Sequence, residues 1–159
     1  LPIIAEDLGI ITDDVTRLRR ACGFPGMRVM QFAFGDNARN PYLPHNFGRC
    51  TVAYTGTHDN NTTVGWWANA SENERQAARQ YLGQVTDSEI HWAMIQSLSQ
   101  SVANTLVVPF QDVLGLDGQH RMNTPGQPEG CWSWRFAWAD VGDEPARRLS
   151  SMLRAHGRA

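Results

Sequence analysis

Three polar side chains stand where short apolar segments end, and their types suit acid/base chemistry. The apolar run 2–6 ends at Glu6, and His58 and Asp59 come directly after the apolar run 51–55. If these runs are parallel strands, their carboxyl ends meet at one edge of the sheet, where βα folds display catalytic groups. A carboxylic acid and a carboxylate placed there could transfer and accept protons. Glu6 and Asp59 are therefore the best lead to a catalytic site.

Each carboxylate also has a simpler interpretation. Glu6 and Asp7 could do no more than solvate a strand end or cap the helix that follows. Asp59 could form an Asx-turn and the N-cap of the helix that contains Trp66 and Trp67, because Asp is favoured at such positions. The residue types alone leave both interpretations open.

Other site chemistries find less support. His45, His58 and Asp59 could ligate zinc or iron, but no HxH or HxxxH spacing accompanies them, so we expect no metal site. The sequence has no GxSxG motif, which disfavours a serine hydrolase of that type. All 14 basic side chains are arginine, which excludes a Schiff-base lysine from the chain.

The pattern along the chain alternates apolar runs with amphipathic stretches. Capping signals mark helix starts at Thr12, at Ser71-x-x-Glu74 and at Thr86-x-x-Glu89, and a last helix covers 144–156. Long loops occupy 35–48 and 115–130. The strands are predicted at 2–6, 27–33, 51–55 and 105–110.

Four strand–helix units predict an α/β fold with a parallel sheet, either open and doubly wound or part of a (β/α)8 barrel. A whole barrel needs eight units and about 250 residues. The chain has 159 residues and starts without Met inside an apolar run. We therefore expect a single domain, 1–159, that forms part of a larger protein whose other half lies upstream.

Charge and composition narrow the partners. A net charge of −2 disfavours nucleic acid and anionic membrane surfaces as partners. No apolar run reaches the roughly 18 residues of a membrane helix. Cys22, Cys50 and Cys131 are odd in number and widely spaced, which is typical of free thiols in a reducing compartment, and we expect a cytoplasmic protein. Among the six tryptophans, Trp92 is predicted to be in the core.

Several segments together are similar, in order and spacing, to glycoside hydrolase family 77. They cover nearly the whole chain and are IAEDLG from Ile4, GFPGMRVMQFAF from Gly23, YLPHN from Tyr42, YTGTHDN from Tyr54, RMNTPG from Arg121 and WSWRF from Trp132.

The resemblance implies a retaining 4-alpha-glucanotransferase built on a (β/α)8 barrel of the α-amylase superfamily, of which this chain would be strands five to eight. It implies that Glu6 is the general acid/base and Asp59 the transition-state stabiliser. His58, Phe32, Asp36 and Asn123 would bind the substrate, an α-1,4-glucan or maltodextrin. No metal and no cofactor is implied.

The aspartate nucleophile of the family is expected on strand four, upstream of Leu1. The chain would then be inactive alone and would need the N-terminal half of the barrel. A second departure is Asn61, which replaces an aspartate common in the family and lies outside its catalytic set. A hydrolytic relative of the α-amylase class and a non-catalytic glycan-binding fragment remain as alternatives.

Overall fold

A computed structural model of the chain describes residues 2–158; Leu1 and Ala159, the ends of the predicted domain, lie outside them. This part of the chain forms six α-helices, three short strands and several short 3₁₀ turns. The helices are α1 Asp13–Ala21, α2 Thr63–Asn69, α3 Glu72–Leu82, α4 Ile90–Ser99, α5 Phe110–Val113 and α6 Glu144–Ala155. The strands are β1 Gly26–Val29, β2 Thr51–Tyr54 and β3 Thr105–Val107.

The sheet is parallel and its strands follow the chain order β1-β2-β3. β1 pairs with β2 from Gly26↔Thr51 to Val29↔Tyr54, and β2 pairs with β3 from Val52↔Thr105 to Tyr54↔Val107. All three strands therefore point their carboxyl ends to one edge. The α/β class and the parallel sheet agree with the sequence prediction.

The predicted count of four strands is wrong for residues 2–158, because the run 2–6 is not a strand of this sheet. It lies extended beside the start of β1, where Ala5 N–H donates to the carbonyl of Pro25 at 3.0 Å. One such bond does not make a ladder. The segment is instead held by the carboxylate of Asp7.

Asp7 is 8% exposed and anchors this extended segment to β1. Its Oδ1 accepts the backbone N–H of Met27 at 2.6 Å, and the guanidinium groups of Arg19 and Arg28 each lie 3.3 Å from its Oδ2. A Cβ added at Gly26 would overlap the Asp7 carboxylate, so the close approach requires glycine there. Glu6, one residue earlier, is consequently fixed in place although it is exposed.

The three predicted helix starts are present, with Thr12, Ser71 and Thr86 as N-cap residues, but the predicted side-chain capping bonds form only at Ser71. Thr12 is the N-cap residue of α1, and Ser71 and Glu74 form the complete capping box of α3. The box predicted at Thr86 and Glu89 does not form, because Glu89 ion-pairs with Arg148 of α6 instead. A tertiary contact thus overrides the local pattern.

The main core lies between the sheet and the helices α2 to α4. Met30, Ala53, Met94 and Leu98 are fully buried there. Trp92, predicted as core, is 5% exposed and packs with Ile95 and Val113 in a second cluster.

Two further findings concern the cysteines and the helix lengths. Cys22, Cys50 and Cys131 are all free thiols. Among residues 2–158, no helix is both long and apolar enough to cross a membrane.

Candidate active site

A cavity of about 970 Å³ opens at the carboxyl edge of the sheet. Its volume lies at the upper end of the range for small-molecule sites. Glu6, Phe32, His58 and Asp59 all line it, so the structure brings four of the six predicted site residues together. The rest of the wall is mostly apolar and includes Ile4, Leu8, Met27, Tyr42, Tyr54, Val107, Pro109 and Met122.

The segment 56–62 carries His58 and Asp59 between β2 and α2. It folds on itself, because Asn60 Oδ1 accepts both the N–H and the hydroxyl of Thr57, at 2.9 and 2.8 Å. Thr62, not Asp59, is the N-cap residue of α2 and accepts the N–H of Gly65. The interpretation of Asp59 as a helix cap is therefore wrong, and its half-exposed carboxylate is left for the cavity.

A second segment, which begins at Arg121, holds His58 and Asp59 in place by hydrogen bonds. Arg121 Nη2 donates to the carbonyl of Asp59 at 2.8 Å, and Asn123 N–H donates to the carbonyl of His58 at 3.1 Å. Asn123 Nδ2 donates to Asp59 Oδ1 at 2.5 Å, and His58 Nε2 lies 3.4 Å from the same oxygen. Asp59 is thus held through both its backbone and its side chain.

Trp132 closes the cavity above His58. Its ring centroid lies 5.0 Å from that of His58, the residue is 54% exposed, and its backbone N–H donates to the carbonyl of Met122 at 2.7 Å. Its φ of 60° is the one positive value among the described non-glycine residues. A bulky side chain rarely adopts this conformation, which here turns the ring into the cavity wall.

The other predicted substrate residues have different placements. Phe32 is 44% exposed and packs edge-on against Tyr42, with ring centroids 5.3 Å apart. Asp36 is exposed, accepts a hydrogen bond from Asn37 and does not line the cavity. Asn123 also lies outside the lining and reaches the site through Asp59.

Arg121 and Trp132 were missed as individual site residues by sequence reasoning. Their partners, Asp59 and His58, are distant in sequence and no local period connects them. The Gly- and Pro-rich composition of 115–130 predicted a loop but not the direction in which it folds. Within the described part of the chain, no group of three His, Cys, Asp or Glu side chains could hold a metal ion.

Comparison with known proteins identifies the family. A sequence model described as 4-alpha-glucanotransferase matches residues 1–140. The chain belongs to this family. A chloroplastic/amyloplastic 4-alpha-glucanotransferase of Oryza sativa subsp. japonica is 53% identical over 98% of this chain. The 4-alpha-glucanotransferase of Thermus thermophilus is 45% identical over 98% of it.

The fold agrees with the family. The amylomaltase from Streptococcus agalactiae in complex with acarbose superposes on 100% of this chain with a TM-score of 0.96 and 34% identity. The chain spans only 27% of the rice protein, 32% of the Thermus protein and 32% of the Streptococcus structure. The α/β fold of this family member therefore corresponds to one part of a longer polypeptide in its relatives.

Proposed function

We propose that this chain supplies half of the active site of a 4-alpha-glucanotransferase, which moves α-1,4-glucan segments between maltodextrins. The observation that carries the proposal is the convergence of Glu6 and Asp59 on one cavity in a member of this family. The mostly apolar wall and the aromatic side chains Phe32 and Trp132 suit the faces of sugar rings.

The reaction proceeds in two steps with retention at the anomeric carbon. Glu6 protonates the glycosidic oxygen while an aspartate of the preceding region attacks the anomeric carbon, so the C–O bond to the leaving glucan breaks and a glycosyl ester forms. Glu6, now a carboxylate, then takes the proton of an acceptor's 4-hydroxyl as that oxygen displaces the ester. Asp59 contacts the donor sugar's hydroxyls most strongly as the ring flattens. No cofactor enters either step.

Exposed apolar side chains support the need for a partner segment. Ile10 is fully exposed, Leu18 of α1 is 65% exposed and Trp138 is 74% exposed. In our proposal the N-terminal half of a (β/α)8 barrel covers them, and this chain supplies strands five to eight. The segment 2–6 becomes strand five when it pairs with that half.

We also propose a cytoplasmic location for the enzyme. The rice relative is described as chloroplastic/amyloplastic.

Maltotriose distinguishes the candidate activities. We define the complete enzyme as this chain joined to the region that precedes it in the family. A transferase converts maltotriose into glucose and longer maltodextrins, whereas a hydrolase yields glucose and maltose without longer products. The chain alone should give neither. Longer products from the chain alone would contradict the missing nucleophile.

Variants connect the activity to the site. Glu6→Gln in the complete enzyme should abolish transfer from maltotriose, because the leaving oxygen receives no proton. Glu72→Gln, on the exposed face of α3, is the matched control and should leave transfer unchanged. Full transfer activity in Glu6→Gln would refute the assignment.

A further inference from the structure

The carboxylate of Asp112 is buried in α5, behind the wall of the cavity. The residue is 1% exposed and accepts three hydrogen bonds. Its Oδ2 accepts the hydroxyls of Thr55 and Thr63 at 2.5 and 2.8 Å, and its Oδ1 accepts the N–H of Thr63 at 2.6 Å. All three donors belong to only two residues.

Those two threonines mark the ends of the segment that presents His58 and Asp59. Thr55 directly follows β2, and Thr63 is the first residue of α2. Both are fully buried. One carboxylate therefore ties together the point where the segment leaves the sheet and the point where it enters the helix.

Burial of this carboxylate is unfavourable. Desolvation raises the pKa of Asp112, the three hydrogen bonds oppose that rise only in part, and no cation contributes among the described residues. An apolar residue at this position would leave the Thr63 N–H and both hydroxyls without an acceptor in the interior, which is costly. The carboxylate therefore fixes the geometry at the two ends of the segment.

A displacement of those two ends would also shift His58 and Asp59. Inside the segment, Asn60 holds Thr57 by two hydrogen bonds, and Gln31 Nε2 donates to the carbonyl of Asn61 at 2.8 Å. A Cβ at Gly56 would overlap the Gln31 amide, so the segment has little room beside the turn that follows β1. We therefore expect a shift of either end to displace the whole segment.

We infer that Asp112 is a positioning residue, which acts through Thr55 and Thr63 to fix Asp59 against the substrate. This inference deepens the proposed function and rests on it. Asp112 itself does not line the cavity. Its effect should therefore be seen only through Asp59.

The isosteric variants Thr55→Val and Thr63→Val test this step, because each removes a hydroxyl without changing side-chain size. In the complete enzyme each should lower kcat/KM for maltotriose by about 10- to 100-fold, mostly through kcat. Thr51→Val, a buried threonine at the other end of the same strand, is the matched control and should leave kcat/KM unchanged.

An Asp59→Asn background separates positioning from general stability. If Asp112 acts through Asp59, Thr63→Val should lower the residual activity of Asp59→Asn by less than about threefold, since coupled residues are not additive. An equal loss in both backgrounds would overturn the inference. So would an unchanged kcat/KM in Thr55→Val and Thr63→Val.

Asp112 is tested directly by two substitutions. Asp112→Asn keeps an oxygen for the Thr63 N–H and should retain more activity than Asp112→Ala. If both Asp112 variants fail to fold, the kcat/KM values of Thr55→Val and Thr63→Val still test the inference.

Amide hydrogen exchange separates failure of the inference from failure of the proposed function. If the complete enzyme shows no transfer, the proposed function fails. Faster exchange in 56–62 in Thr63→Val than in Thr51→Val would still support the positioning role. Equal exchange in the two variants would overturn it.

Discussion

Asn123 Nδ2 donates a hydrogen bond to Asp59 Oδ1 at 2.5 Å. His58 Nε2 approaches the same oxygen, at 3.4 Å. Asp59 Oδ2 is therefore the oxygen left for a bound sugar. The resemblance implies that Asn123 binds substrate, and we propose that it also orients Asp59 through this hydrogen bond.

Asn123→Asp should damage the site through charge. It replaces a hydrogen-bond donor to Asp59 with a second negative charge, and the two like charges repel each other. We expect kcat/KM of the complete enzyme to fall about 100-fold at neutral pH and the acid limb of its pH profile to move to higher pH. A pH-rate profile with maltotriose measures both effects.

Asn123→Ala is the control for this charge effect. It removes the donor without adding a carboxylate, so we expect a loss of about tenfold with the acid limb in place. If Asn123→Ala moved the acid limb as far as Asn123→Asp does, charge repulsion would not be the cause.

How much of this arrangement was predictable depends on how far apart the interacting residues are in sequence. The start of α1 at Thr12 and the capping box at Ser71 follow from neighbours within one turn, and both were predicted. The hydrogen bonds of Asp112 span 49 and 57 residues, and those of Asp59 to Arg121 and Asn123 span 62 and 64. Such contacts depend on tertiary packing, which local patterns do not encode.

The predicted strands were too long for a similar reason. The run 27–33 is a strand only to Val29, because Met30–Phe32 form a 3₁₀ turn and Gln31 N–H bonds to the carbonyl of Thr55. This turn brings Phe32 to the cavity. The apolar pattern predicts the position of the strand, but not the residue at which strand pairing ends and the lining of the cavity begins.

Trp132 should report ligand binding through its fluorescence. Its half-exposed ring lies in the cavity wall, so maltodextrin should quench it, and Trp132→Phe should remove that signal. Loss of the ring in Trp132→Ala should weaken binding by about 1 kcal/mol, roughly fivefold in Kd. Trp138→Phe is the control, because Trp138 is exposed away from the cavity. If the quenching disappeared in Trp138→Phe and persisted in Trp132→Phe, the assignment would be contradicted.

His91 should make stability sensitive to acid. It is 7% exposed in α4, and its Nδ1 has no hydrogen-bond partner among residues 2–158. Burial lowers the pKa of His91 below the ordinary 6.5. The charge of Glu89 opposes this shift and that of Arg148 adds to it. Below pH 6.5 the unfolded chain binds a proton that the folded one resists, so stability falls as pH falls towards the folded pKa.

The variant His91→Leu removes this titration. We expect the difference in unfolding midpoint between His91→Leu and the wild type to be constant near pH 8, where both side chains are neutral, and to shift in favour of the variant from pH 6.5 to pH 5. Thermal unfolding over this pH range measures it. A difference that stays the same at every pH would show that His91 does not titrate on unfolding.

Glu6 and Asp59 should respond differently to the leaving group of the donor. Glu6→Gln cannot protonate a sugar leaving group, but a donor whose leaving group departs without a proton should still glycosylate the nucleophile of the complete enzyme, and the glycosyl-enzyme should accumulate. Asp59→Asn weakens contacts made in the transition states of both steps, so it should slow both with either donor. Burst kinetics and intact mass measure accumulation. If the activated donor restored activity to Asp59→Asn and not to Glu6→Gln, the roles assigned to the two residues would have to be exchanged.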